Sequence, residues 1–177
     1  MDQLNVKEEL KLKVRVDDHT KIKKKLLSFA VFVEKQDYTD YFFDTQTAKE
    51  PIEVRLRNLD SEKIATLKVM LNDDSLIQEN REYTFDVDKP DNFVSFLEVL
   101  GFSPLCMARK KAEIYEFEDI KITLVEIVGQ GYFIEITAHC KEQYKNQYRE
   151  KLLGIFKRLE LPKSSIDSRY YCRILKS

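Results

Sequence analysis

Residues 5–16 read NVKEELKLKVRV, and the alternation in this stretch decides the fold. Successive side chains of an extended chain point to opposite faces. Leu10, Leu12, Val14 and Val16 therefore form one row, and Lys7, Glu9, Lys11, Lys13 and Arg15 form the other. The first row is made for a core. The second is a whole strand face of cations around one carboxylate. It must either meet water or be enclosed with counter-charges, because buried charge without a partner is costly.

The same period of two recurs in AVFVEKQDYTDYFFDT (30–45), IEVRLRN (52–58), KIATLKVML (63–71), NREYTFDV (80–87), RKKAEIYEF (109–117), IKITLVEI (120–127) and YFIEITA (132–138). With the opening segment these predict eight strands. Short polar turns at 59–62 (LDSE), 117–119 (FED) and 128–131 (VGQG) make neighbouring strands antiparallel hairpins.

Helical spacing interrupts the strands three times. Ile22, Leu26 and Phe29 follow Asp18 or Thr20 as N-cap; Phe93, Phe96, Leu97 and Leu100 follow Asp88 and Pro90 and stop at Gly101; Tyr144, Tyr148, Leu152, Ile155 and Leu159 run up to Pro162. A short last helix or strand carries Tyr170, Tyr171 and Ile174. No repeat or Gly/Ser linker divides the chain, so one domain is expected over 1–177.

The balance of 30 Lys plus Arg against 31 Asp plus Glu leaves a net charge of -1, so no global field favours nucleic acid or a membrane surface. KIKKKLL at 21–27 reads as a solvated helix face. The apolar run FAVFV at 29–33 is far short of the roughly 20 residues a membrane helix needs. The polar N-terminus has no signal-peptide core, so a cytoplasmic location is expected. Cys106, Cys140 and Cys172 lack ligand spacing and read as reduced and incidental, while His19 and His139 read as surface or locally satisfied imidazoles.

The remaining strands repeat the charged row. Glu53, Arg55 and Arg57 share a face, as do Thr66, Lys68 and Met70, and Lys110 and Ala112. Either this side of an open sheet faces water, or the eight strands close and pool their cations in a lumen. Arg forks and Lys ammonium groups match phosphate oxygens. Glu9 among them suits a hard cation such as Mg²⁺ or Mn²⁺ that bridges to phosphate.

In order along nearly the whole chain, these segments resemble the CYTH superfamily, the triphosphate-tunnel fold of class IV adenylyl cyclases and thiamine or inorganic triphosphatases. KEELK (7–11) resembles the family's E-x-E-x-K, DYFFDT (40–45) its Y-F-D-T stretch, VRLR (54–57) its L-R-I-R and REYTFDV (81–87) its acidic strand after an arginine. LEVLGF (97–102) resembles the helix before the K-x-R strand, here KKAEIY (110–115), and LVEIVGQGYFIEI (124–136) resembles L-D-E-V-x-G-L-G-x-F-x-E-x-E.

The resemblance implies an α+β fold, an eight-stranded antiparallel closed β-barrel with helices packed outside. It implies phosphate binding by Lys11, Lys13, Arg55, Arg57, Lys68 and Lys110, and Mg²⁺ or Mn²⁺ held by Glu9 and Glu135. Expected partners are a small-molecule triphosphate or polyphosphate, with no membrane and no nucleic acid, for a monomer or homodimer. The sequence departs from the pattern at Lys7, Ala112, Val125 and Thr137, which stand where the family has Glu, Arg, Asp and Glu. Glu8, Glu53 and Glu82 are the carboxylates available to replace those lost. Three outcomes follow: a metal-dependent enzyme acting on a triphosphate, a tunnel that binds triphosphate with reduced catalysis, or a sheet whose charged face is solvated and whose surface binds protein or RNA.

Overall fold

The apolar row of the opening strand is fully buried, with Leu10, Leu12 and Val14 each at 0% exposure. The computed structural model describes residues 5–44, 51–60, 62–72 and 76–175. Thr45 of the second predicted strand and Ser61 of the first predicted turn lie outside them. The eight strands are β1 (Asn5–Val16), β2 (Val31–Asp44), β3 (Ile52–Leu59), β4 (Glu62–Met70), β5 (Gln78–Asp86), β6 (Ser103–Phe117), β7 (Ile120–Ile127) and β8 (Gly131–His139). They close into an antiparallel barrel ordered β1-β5-β4-β3-β2-β6-β7-β8, sealed by pairing of β8 with β1. The open-sheet alternative is thereby removed.

Register decides which side chains meet inside. Lys13 stands opposite Glu135, Glu53 opposite Lys68, and Lys68 opposite Glu82. β1 pairs with both neighbours without a register shift, so its period of two is unbroken and Glu8 stays on the outer side. There it meets Arg81 and Lys145, at 3.3 and 3.2 Å. Glu53 and Glu82 do point inward.

Helices cover the outer face. Asp18 caps α1 (His19–Leu27) by accepting from the Lys21 backbone N–H at 2.9 Å. α3 (Lys145–Arg158) and α1 enclose the β1 row, with Ile22, Leu26, Leu152, Ile155 and Phe156 in one core with Leu10, Leu12 and Val14. α2 (Pro90–Val99) begins on Pro90, whose missing N–H costs nothing at a helix start. Its Leu97 packs on Phe43, Val54 and Leu56, and the chain leaves it through Gly101 at φ +85°, a left-handed turn that glycine adopts without strain.

β6 begins six residues earlier than the alternation predicts. Pro104 has no N–H to offer a ladder, so SPLCMA reads as loop; the register shift beside Phe43 and Pro104 accommodates it. After α3 the chain turns back along the barrel. Pairing of β5 with β1 ends at Lys11, and beyond it Asp167 N–H donates to Lys13 C=O at 2.9 Å while Ile166 bridges Val14. The last segment is helical, α4 (Tyr171–Ile174). Among the described residues no helix is long and apolar enough to cross a membrane.

Candidate functional site

The charged rows converge in the lumen as three clusters, each built on a carboxylate. Asp40, on β2, has 0% exposure. Arg57 donates to it in a fork, Nε to Oδ1 at 2.8 Å and Nη2 to Oδ2 at 3.0 Å; Lys110 Nζ donates at 2.9 Å and Arg55 stands 3.7 Å away. Burial by itself would raise the Asp40 pKa, but Lys110, Arg55 and Arg57 hold it far below the usual carboxylate range. Arg57 also stacks on Tyr38, 3.9 Å from the ring centre.

The second cluster is centred on Glu9, which accepts from Lys68 Nζ and Asn80 Nδ2, both at 2.9 Å, with Lys11 at 3.3 Å. Lys68 reaches Glu82 at 2.5 Å, and His139 Nε2 lies 3.5 Å from the same carboxyl. Burial works against a charged Lys68, yet Glu9 and Glu82 outweigh it and raise the Lys68 pKa. In the third cluster Glu135 accepts from Tyr171 Oη at 2.5 Å and lies 3.8 Å from Lys11. Its pKa is also held far down, because Lys11, Lys110 and the Tyr171 hydroxyl offset the cost of burial.

The tail closes one end of the lumen. Tyr171 packs edge-on against Phe133, with Lys13 and Lys110 at 4.3 and 3.8 Å from its ring centre. Tyr170 donates to Asn80, Lys13 to Arg169 C=O and Gln78 to Ser168 C=O. Ala112 and Val125, two of the departures from the family pattern, belong with Phe42, Phe133, Tyr171 and Ile174 to one apolar cluster inside the barrel. Small and apolar side chains at these positions make the bed on which the tail rests. The cavity left beside Tyr170 and Tyr171 is about 30 Å³, room for a water or two. A larger one, about 150 Å³, opens at the other end among Gln36, Lys121, Thr137 and His139.

Every cation expected to bind phosphate, Lys11, Lys13, Arg55, Arg57, Lys68 and Lys110, lines one or both of these cavities. Burial brings the Lys13 pKa down to about 8. Glu9 and Glu135 line the larger cavity together. Lys7 stands at the strand start opposite Glu82, exposed to solvent. Asp40 and His139 were not expected in the site: the aromatic strand around Asp40 disguises a luminal carboxylate, and His139 looks isolated until β8 is paired with β1. The one available signal is parity: Asp40 shares its strand face with Tyr38 and Phe42, and His139 with Glu135 and Thr137.

The donor chemistry fits a divalent cation. Glu9, Glu82 and His139 each offer a ligand atom, all within 4.8 Å of one another. Glu53, 6% exposed, has one carboxylate oxygen, Oε2, buried without a hydrogen-bond partner.

A closed antiparallel barrel whose lumen is lined by arginines, lysines and interleaved carboxylates is the tunnel class of fold. The CYTH domain family matches residues 7–171, and the chain belongs to that family. A Methanocaldococcus jannaschii protein named as a candidate adenylate cyclase is 25% identical over 171 residues, 94% of this chain and 97% of its own. The fold is similar to a solved Pyrococcus horikoshii structure, with TM-score 0.82 and 22% identity, covering 94% of this chain and 98% of that one. It is also similar to a Hippeastrum adenylyl cyclase candidate with a dominant triphosphatase activity, with TM-score 0.66 and 20% identity, covering 88% and 89% of the two chains.

Proposed function

We propose that the chain is a triphosphate-binding tunnel protein performing metal-dependent phosphoryl or nucleotidyl chemistry on ATP or another organic or inorganic triphosphate. The observation that carries this reading is the convergence of Arg55, Arg57, Lys11, Lys13, Lys68 and Lys110 on one enclosed lumen. The activity of the Hippeastrum relative supports the phosphatase branch, and the name of the archaeal relative the cyclase branch.

In this reading the triphosphate enters by the mouth beside Lys121 and His139, because the tail fills the other end. Arg55 and Arg57 grip equatorial oxygens as forks, and the four lysines act as point charges along the chain of phosphates. Glu9 and Glu135 would hold Mg²⁺ or Mn²⁺, which would supply charge neutralisation at the phosphate oxygens. The protein's own contribution is alignment and preorganised positive charge, in a lumen that the tail closes at one end.

A second reading, binding without efficient turnover, is favoured by one observation: Asp40 and Glu9 already neutralise the cations a substrate would need. The two are separated by incubating the full chain with tripolyphosphate, ATP or thiamine triphosphate, with and without Mg²⁺ or Mn²⁺. Melting temperature and products are then measured. Metal-dependent stabilisation with release of phosphate, pyrophosphate or cyclic nucleotide is expected; stabilisation without product selects the second reading. Absence of stabilisation by every triphosphate overturns both, since a ligand of the folded form must raise its stability.

A further inference from the structure

We propose that Glu9, Glu82 and His139 form a site for a divalent transition-metal ion, and that Lys68 is the resident cation this ion displaces. The proposal deepens the triphosphate reading by naming the metal class its lumen selects, and its test uses no phosphate.

Three strands build the site. β1 supplies Glu9, β5 supplies Glu82 and β8 supplies His139, and the ligand atoms already lie within 4.8 Å of one another. Glu9 is 5% exposed and Glu82 13%, whereas His139 is 40% exposed. Two carboxylates therefore sit inside while the imidazole stands at the mouth, which gives an ion an entry path past its third ligand. The place is already cationic in character, with Lys68 Nζ 2.9 Å from Glu9 and 2.5 Å from Glu82. An ammonium that bridges two carboxylates marks where a more compact, doubly charged ion is better accommodated.

The fate of Lys68 is provided for separately. Glu53 stands opposite it in the β3–β4 register and lines the cavity that Lys68 also lines. Its buried Oε2 has no hydrogen-bond partner. A buried carboxylate oxygen without a donor is costly, so Glu53 lacks a cation contact that a displaced Lys68 would supply.

The donor set also chooses the ion. Mg²⁺ prefers oxygen ligands and keeps its waters. An imidazole nitrogen beside two carboxylates favours a first-row transition ion instead. The probe is Mn²⁺, added to metal-stripped full-length protein and followed by calorimetry and pulsed electron paramagnetic resonance.

One Mn²⁺ is expected to bind with a nitrogen modulation from imidazole in the pulsed spectrum. His139→Ala should abolish that modulation and weaken Mn²⁺ at least tenfold, a loss at least the size seen when outer-shell partners are removed, while Mg²⁺ affinity moves less than twofold. Lys68→Met should tighten Mn²⁺ several-fold by removing its competitor; Lys68→Arg, which keeps the charge, should not. No Mn²⁺ binding, a wild-type spectrum without nitrogen modulation, or Mn²⁺ affinity unchanged in His139→Ala or not increased in Lys68→Met would each overturn the proposal. Failure of triphosphate binding in a protein that holds Mn²⁺ this way would sink the functional reading and leave this one standing.

Discussion

Asp40→Asn is the most informative single change, because it removes one charge and almost no volume from the centre of the lumen. Asp40 is fully buried and joins Arg57, Lys110 and Arg55. Removing one partner of a buried ion pair costs about 3–5 kcal/mol, since the remaining charges stay buried and uncompensated. At about 2.1 cal/mol/K per residue, the unfolding entropy of a 177-residue chain is about 0.37 kcal/mol/K. The melting temperature should fall by roughly 8–13 °C at neutral pH. Asp37→Asn is the matched control: its pair with Arg109 is exposed on both sides, at 50% and 60%, and should barely move the transition.

The same variant tests what the cations are for. Arg55, Arg57 and Lys110 lose their internal partner, so tripolyphosphate should recover more of the lost stability in Asp40→Asn than it adds to the wild type. Calorimetric scans with and without tripolyphosphate measure both quantities. A fall of under about 3 °C, or an anion response no larger than that of the wild type, would refute the claim that Asp40 holds these cations in place of a ligand.

Three further outcomes follow from the same contacts. Leu12→Ala, at 0% exposure between the barrel and its helices, should cost about 2–5 kcal/mol in urea denaturation, and a loss below about 1 would mean that the site collapses around the cavity. Lys13 has a pKa lowered by burial to about 8, so its penalty to folding is present below pH 8 and is relieved as pH rises from there towards its ordinary value. An anion that recharges Lys13 must take up a proton near pH 8.5; calorimetry in two buffers of different ionisation enthalpy should detect this uptake, and its persistence in Lys13→Met would refute the assignment. Tyr171→Ala should empty the tail's place beside Phe133 and raise the association rate of tripolyphosphate in stopped flow, whereas an unchanged rate would show that the tail does not obstruct the lumen.

The barrel was legible because parity is a strict constraint. A strand with one buried face cannot slip by one residue without exposing its core, so the row from Leu10 to Val16 fixed Glu9, Lys11 and Lys13 as its luminal complement. The same parity placed Arg55, Arg57, Lys68 and Lys110. What could not be read was pairing across the barrel. Asp40, Glu82 and His139 come from three different strands, and nothing local says that Asp40 meets Arg57 or that His139 meets Glu82. The tail was illegible for a different reason: Tyr170 and Tyr171 are held by Asn80, Glu135 and the luminal lysines, with Glu135 and Asn80 lying 36 and 90 residues away in sequence.

The charge arithmetic of the lumen narrows how any anion can bind. Lys11, Lys13, Arg55, Arg57, Lys68 and Lys110 face Glu9, Asp40, Glu53, Glu82 and Glu135, so the enclosed cations barely outnumber the enclosed carboxylates. Attraction by net field is therefore weak, and a triphosphate must take its partners from internal ion pairs. Each of Lys68, Lys110, Arg55 and Arg57 that turns to phosphate takes one cation from Glu9 or Asp40, a loss that offsets part of the attraction the phosphate supplies. A cation that enters with the anion and takes over the released carboxylates, first of all Glu9 and Glu82 as Lys68 leaves them, would make up that loss. On the proposed site, metal and phosphate binding would be coupled through Lys68, and by linkage each would strengthen the other by the same factor.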